Sequence, residues 1–170
     1  MQETPLEYTQ RMLRILGDKR PLGILSSTPA KISRLMKGVS AASFKKQPAP
    51  SKWSAAQILA HVADSEIVVG YRIRSILGAP GTPIAAFDQD RWAETQNYVK
   101  RDPKLSLKVF GAVREANLAL LKSIGEEQWK QFGVHAERGV ESIEHISKML
   151  AGHDLNHLGQ LEILLKRSGK

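Results

Sequence analysis

The stretch Ser142-Ile143-Glu144-His145-Ile146-Ser147-Lys148-Met149-Leu150-Ala151-Gly152-His153-Asp154-Leu155-Asn156-His157-Leu158-Gly159-Gln160-Leu161 carries most of what this chain says about its fold. At 100° per residue, with Ile143 at zero, Ile146, Leu150, His153, His157, Leu161 and Leu164 share one face about 100° wide. The spacing predicts a long amphipathic helix from about Ser142 to Lys166-Arg167, two cations that suit a helix C-terminus. His153 and His157 stand in the middle of its apolar stripe. His145 points to the opposite side, towards solvent. Asp154 turns away from the histidine face, which predicts a surface ion pair, and Gln160 lies on that face.

Upstream, helix punctuation is legible. Thr4-Pro5-Leu6-Glu7 reads as N-cap, proline at the first helical position and capping-box glutamate, for a helix ending near Gly17-Asp18. A second helical stretch follows Pro21, is re-initiated by Thr28-Pro29 and closes by Gly38, and Ser40 to Lys52 reads as loop. Ser54 and Gln57 form a second capping box, flanked by Trp53 and Ile58 at the positions of a hydrophobic staple, and this helix runs to about Leu77. Phe87 to Trp92 holds a short helical turn. Asp102-Pro103 opens a further long helix that Gly125 closes, and residues 126–141 are a connection. No run of alternating hydrophobics predicts a strand.

Four long helices or helix pairs without a sheet give an all-α fold, a four-helix bundle. Residues 78–102 are too long for a tight hairpin between the second and third long helices, so this crossover predicts up-down-down-up topology. The 170 residues, 42% hydrophobic and 25% charged, fit one domain, 1–170.

Composition excludes several chemistries. With no cysteine there is no disulfide, thiolate metal site or catalytic thiol. The net charge of +8 comes from scattered pairs such as Lys19-Arg20 and Lys100-Arg101, which argues against nucleic acid as the partner. A polar, acidic start and the lack of any apolar run near 20 residues point to a cytoplasmic protein with no membrane span. No P-loop, G-x-S-x-G or H-E-x-x-H motif is present.

His61 lies two turns beyond the second capping box, on the shoulder of the Ile58, Val62, Val69 and Ile76 stripe. Two readings of the histidines stay open. Either His153 and His157 are core residues satisfied by neighbours such as Asn156 and Gln160, or they join His61 around a divalent ion and leave positions open for water or substrate.

The stretches Trp53-Ser54…His61-Val62-Ala63-Asp64-Ser65-Glu66, Phe87-Asp88-Gln89-Asp90…Trp92-Ala93 and Ala151-Gly152-His153-Asp154-Leu155-Asn156-His157-Leu158-Gly159-Gln160 resemble the DinB-like superfamily. That group comprises damage-inducible and metal-dependent hydrolase-like proteins and includes thiol-dependent S-transferases. The likeness runs from about Leu6 to Arg167. It implies a four-helix bundle, a homodimer, a small-molecule substrate and a divalent metal (zinc, nickel or iron) on His61, His153 and His157. It also implies a metal-dependent transferase or hydrolase, with a low-molecular-weight thiol such as bacillithiol or mycothiol as cosubstrate in the first case. The rival expectation is a non-catalytic metal- or small-ligand-binding stress-response protein.

Asp64, one turn after His61, is the candidate catalytic residue, to orient a ligand or accept a proton. Asp88, Gln89 and Asp90 either cap the short helix of the crossover or cover a mouth of the bundle, and His135 is expected in a solvated loop. Arg72 and Arg74 are candidates for an anionic substrate, but Arg72 is roughly 16 Å along the helix from His61, too far to act directly at the histidines.

Overall fold

The computed structural model describes residues 3–166; Arg167 and the side chain of Lys166, expected to cap the last helix, lie outside the described residues. The elements are α1 (Pro5–Leu16), α2 (Pro21–Leu35), α3 (Ala41–Lys45), α4 (Ala55–Gly78), β1 (Pro83–Ile84), α5 (Gln89–Thr95), a 3-10 turn (Tyr98–Lys100), α6 (Pro103–Ser123), α7 (Glu126–Lys130), β2 (Phe132–His135), β3 (Gly139–Ser142) and α8 (Ile143–Lys166). Both expected capping boxes form. Thr4 caps α1 with Glu7, and Ser54 caps α4 with Gln57, each satisfying two backbone donors that the first turn leaves free.

Helices α2, α4, α6 and α8 form the bundle, and their side-chain pairings fix its topology. Glu66 meets Arg114, Gly70 meets Asn117, and Ile73 clusters with Leu121, so α4 and α6 run in the same direction. Ile58 packs with Leu161, His61 meets His153, and Ile76 packs with Ile146, so α8 runs against α4. Leu25 packs with Leu150 and Ile32 with Leu161, so α2 is parallel to α8. The order is up-down-down-up, with α5 and the 3-10 turn inside the long crossover.

Helix α1 adds a fifth rod alongside α8. Arg11 donates to Asn156, and the backbone of Met12 lies so close to Gly152 that a Cβ there would come within 2.7 Å of the Met12 carbonyl carbon. Gly152→Ala gains up to about 1 kcal/mol of helix propensity. It must also push one backbone off another, and such overpacking costs about 1–3 kcal/mol. Net destabilisation in urea unfolding is the expected result; a stabilised variant would show that α1 is not seated on α8.

Three expectations are corrected. First, α2 is not re-initiated at Pro29 but passes through it. Proline lacks the N–H that would bond to the Leu25 carbonyl. Arg114 Nη1 donates to that carbonyl at 2.9 Å instead, so a neighbouring helix completes the ladder. Second, the loop from Ser40 contains α3, capped by the Ser40 side chain. Third, a three-stranded sheet exists, with β1 parallel to β2 and β2 antiparallel to β3, where Val134 faces Val140 and His135 faces Gly139. Strands of two and four residues are too short for a two-residue period to show, and their stability comes from pairing.

Apolar layers occupy both ends of the bundle. One gathers Ile58, Leu59, Phe110, Leu158 and Leu161, and the other Ile73, Ile76, Leu121 and Ile143. Between them, at the level of residues 61–72 of α4 and 150–157 of α8, the interior turns polar. Among the described residues no helix is long and apolar enough to cross a membrane.

Candidate metal centre

His61 comes from α4, and His153 and His157 from successive turns of α8, where a four-residue step stacks side chains on one face. The three rings converge. His61 Nε2 lies 2.9 Å from His153 Nε2, and ring centroids are 4.9 Å apart for His61–His157 and 4.3 Å for His153–His157. One nitrogen from each ring lies within 4.8 Å of the other two. Donors held 2.0–2.1 Å from one tetrahedral ion sit about 3.3 Å apart, so the spacing suits a shared cation.

The electrostatics suit it as well. Relative exposure is 2% for His61 and 8% for His153 and His157. Burial pushes the first two well below the usual histidine range, and the neighbouring rings push in the same direction. Burial also takes His157 down to about 4, against the opposing effect of its Gln160 partner. All three rings are therefore neutral near pH 7 and keep a lone pair each. His157 Nδ1–H donates to Gln160 Oε1 at 2.8 Å, which leaves Nε2 as the ligating atom. His61 Nδ1 is buried with no hydrogen-bond partner among the described residues. Trp53, tilted against the ring at 5.0 Å, holds His61 in its place. The expected staple residue thus also packs on a ligand candidate.

Two cavities reach the trio. The first, about 400 Å³, is lined by His61, Ser65, Arg72, Met149 and His153 among others; the second, about 410 Å³, by Trp53, Asn156, His157 and Gln160. Gln89 and Asp90 line both, as expected of a segment over the mouth. Asp88 instead caps α5, its Oδ1 accepting from the Asp90 and Arg91 amides at 3.0 Å.

Asp64 is buried, and both of its oxygens are engaged. Tyr98 Oη donates to one and Arg101 Nη1 to the other, each at 2.7 Å. Burial pushes the Tyr98 hydroxyl upward, and the carboxylate beside it adds to the shift. The pair ties the crossover to α4 one turn beyond His61.

Other sequence expectations are corrected here. Asp154 is no surface residue: it is buried, and both its oxygens accept from Arg114, at 2.6 and 3.0 Å. Arg114 also reaches Glu66 at 2.7 Å, and Glu66 accepts from Asn117. This cluster joins α2, α4, α6 and α8 beside the histidines. Its signal was present in Phe110, Arg114, Asn117 and Leu121, which recur at helical spacing on one face. His135 is buried in β2 rather than solvated. His145 is half-buried, 4.0 Å from Glu141. Arg74 is held by Asn117 and the Gly70 carbonyl, away from the trio.

Comparison with known proteins bears on the family and the fold. An Oceanobacillus iheyensis protein named as a proposed metal-dependent hydrolase is 29% identical over 68% of this chain and 66% of its own length. YfiT of Bacillus subtilis, also named as a proposed metal-dependent hydrolase, is 22% identical over 86% of this chain and 83% of its own. The solved YfiT structure, described as an unusual four-helix bundle topology, superposes with a TM-score of 0.80, covering 88% of this chain and 86% of that one. A mycothiol-dependent maleylpyruvate isomerase shares the fold at a TM-score of 0.63 and 15% identity, over 92% of this chain and 69% of its own. The family model described as the DinB superfamily spans residues 24–161, from α2 through both α8 histidines; the chain belongs to that superfamily.

Proposed function

We propose that this protein is a divalent-metal-dependent enzyme acting on a small molecule, with His61, His153 and His157 as the ligands. The observation that carries the reading is the meeting of three buried, neutral imidazoles where two adjoining cavities reach them. A divalent ion there keeps its full charge, since all three ligands are neutral, and supplies a Lewis acid that acidifies a water or thiol reaching it.

The chain's own residues do the rest. Gln160 sets the tautomer of His157, Trp53 fixes the His61 ring, and Asp64 is a positioning residue that holds the crossover against α4 through Tyr98 and Arg101. Two adjoining cavities at the trio leave room for two reactants, such as an external low-molecular-weight thiol and an electrophile, the thiol being external since the chain has no cysteine. Hydrolysis of an ester or amide needs only one of them. Zinc, nickel and iron(II) all accept imidazole ligands, and a homodimer is the proposed assembly.

Elemental analysis after metal-replete purification tests the reading. About one equivalent of ion is expected, and its removal by chelator should lower Tm by about 5–10 °C, the range for a ligand at ~100 times its Kd. Below about a tenth of an equivalent with no thermal shift, the enzyme reading falls. Parallel assays of thiol consumption and ester hydrolysis then separate the two reactions, and inactivity of metal-loaded protein in both would favour a binding module.

A further inference from the structure

We infer that the first cavity ends in an anion subsite built on Arg72. Its ligand would be elongated, with the reacting group at the histidines and a carboxylate or similar anion at the far end. The orientation of that ligand rests on the metal reading above; the subsite itself does not.

The cavity changes character along its length. His61, Ser65, Val69 and Arg72 recur along one side of α4 and form one wall, while His153, Leu150, Met149 and Ile146 of α8 form the other. One end is therefore imidazole, the middle is largely apolar with Ser65 among Val69, Leu150 and Met149, and the far end holds Arg72 with Arg138 and Glu141 beside it. Arg72 lies about 16 Å beyond His61 by helical rise, and helical side chains lean towards the N-terminus, so the two groups are roughly 10–16 Å apart.

Arg72 is 9% exposed, yet no described carboxylate pairs with it. Its Nη2 donates to the Ala85 carbonyl at 2.6 Å and lies 3.5 Å from His135 Nε2. That second contact is not a hydrogen bond between compatible atoms. His135 Nδ1 accepts from the Glu137 amide at 3.1 Å, so the neutral ring carries its proton on Nε2. Two donors thus face each other without an acceptor between them. Arg114 shows how this chain otherwise treats a buried guanidinium, with a carboxylate on either side.

A buried cation lacking a counter-ion is costly, and an incoming anion removes that cost. The acidic groups nearby do not fill the role. Glu141 is committed to Arg138 through two bonds of 2.7 and 3.0 Å, Glu3 is paired with Arg11, and Glu137 and Asp90 are exposed.

Calorimetric titration of the metal-loaded protein with 11-mercaptoundecanoate, 11-mercapto-1-undecanol and undecanoate tests the inference, with 3-mercaptopropionate and 3-mercapto-1-propanol as short controls. The long mercapto acid should bind at least about tenfold more tightly than the long alcohol, as a charge-assisted hydrogen bond gives. The short pair, unable to span the cavity, should show no such preference. Arg72→Gln should abolish the long acid's advantage and leave the alcohol's affinity unchanged. Equal binding of the long acid and alcohol overturns the subsite. An equal advantage in the short pair that Arg72→Gln removes keeps the subsite and overturns only the spanning orientation, whereas one that survives in Arg72→Gln overturns the subsite. An advantage that survives in a folded Arg72→Gln protein overturns it too; if that variant misfolds, the length dependence in the unaltered protein decides. Undecanoate binding as tightly as the mercapto acid would instead remove the thiol-on-metal reading and leave the Arg72 subsite standing.

Discussion

Purified His157→Ala protein should carry less than about a tenth of an equivalent of divalent metal while keeping its helical circular dichroism. Removing an outer partner of a metal-bound histidine already costs about 10–100-fold in affinity, and removing one of three ligands costs more. The helix survives because alanine is a strong helix former and because α8 is held independently by Leu158, Leu161 and Leu165 in one layer and by Ile143 and Ile146 in the other. His145→Ala provides the control. Its ring is on the same helix, half-buried and 4.0 Å from Glu141, outside the trio, so metal content should not change. Gln160→Ala should weaken the ion without abolishing it, since only the fixed tautomer of His157 is lost. Unchanged metal in His157→Ala would place the ligands elsewhere.

The second large effect belongs to stability. Arg114 is 1% exposed and lies between Glu66 and Asp154, with the Leu25 carbonyl as a further acceptor. Its guanidinium is driven far above the ordinary arginine range by these two carboxylates, against the opposing effect of burial. Arg114→Met keeps most of the volume but strands two buried carboxylates and the carbonyl that Pro29 leaves without a donor. Breaking a buried ion pair in this way costs about 3–5 kcal/mol. A loss of that size in urea unfolding is expected, and much of it should return in the Arg114→Met, Glu66→Gln, Asp154→Asn triple variant, where no uncompensated charge remains. A loss under about 1 kcal/mol for Arg114→Met would mean that the cluster is solvated rather than dry.

Asp154 shows where helix-face reasoning reaches its limit. A projection of α8 assigns one face to the core and the rest to water, which holds for a rod with neighbours on one side. Helices α1, α2 and α4 all pack against α8. A residue turned away from the histidine face therefore meets α2 and α6 instead of solvent, and Thr28 and Arg114 provide its partners. The Arg72 site depends on distance in the same way: β1 and β2, which carry no strand pattern of their own, bring Ala85 and His135 to its guanidinium.

Local chemistry alone settled much of this protein. The capping boxes of α1 and α4, the reach of the long helices, the crossover that makes α4 and α6 parallel, and the inward placement of His153 and His157 all follow from neighbours within a few residues, because helix starts, stops and faces depend on short-range hydrogen bonds and a fixed 100° step. Tertiary structure alone decided which charges pair in the interior, that short strands form between α7 and α8, and that two cavities open onto the histidines. Those outcomes depend on groups far apart in the chain meeting in a low-dielectric interior, where a polar atom must find a partner and no sequence spacing names which one.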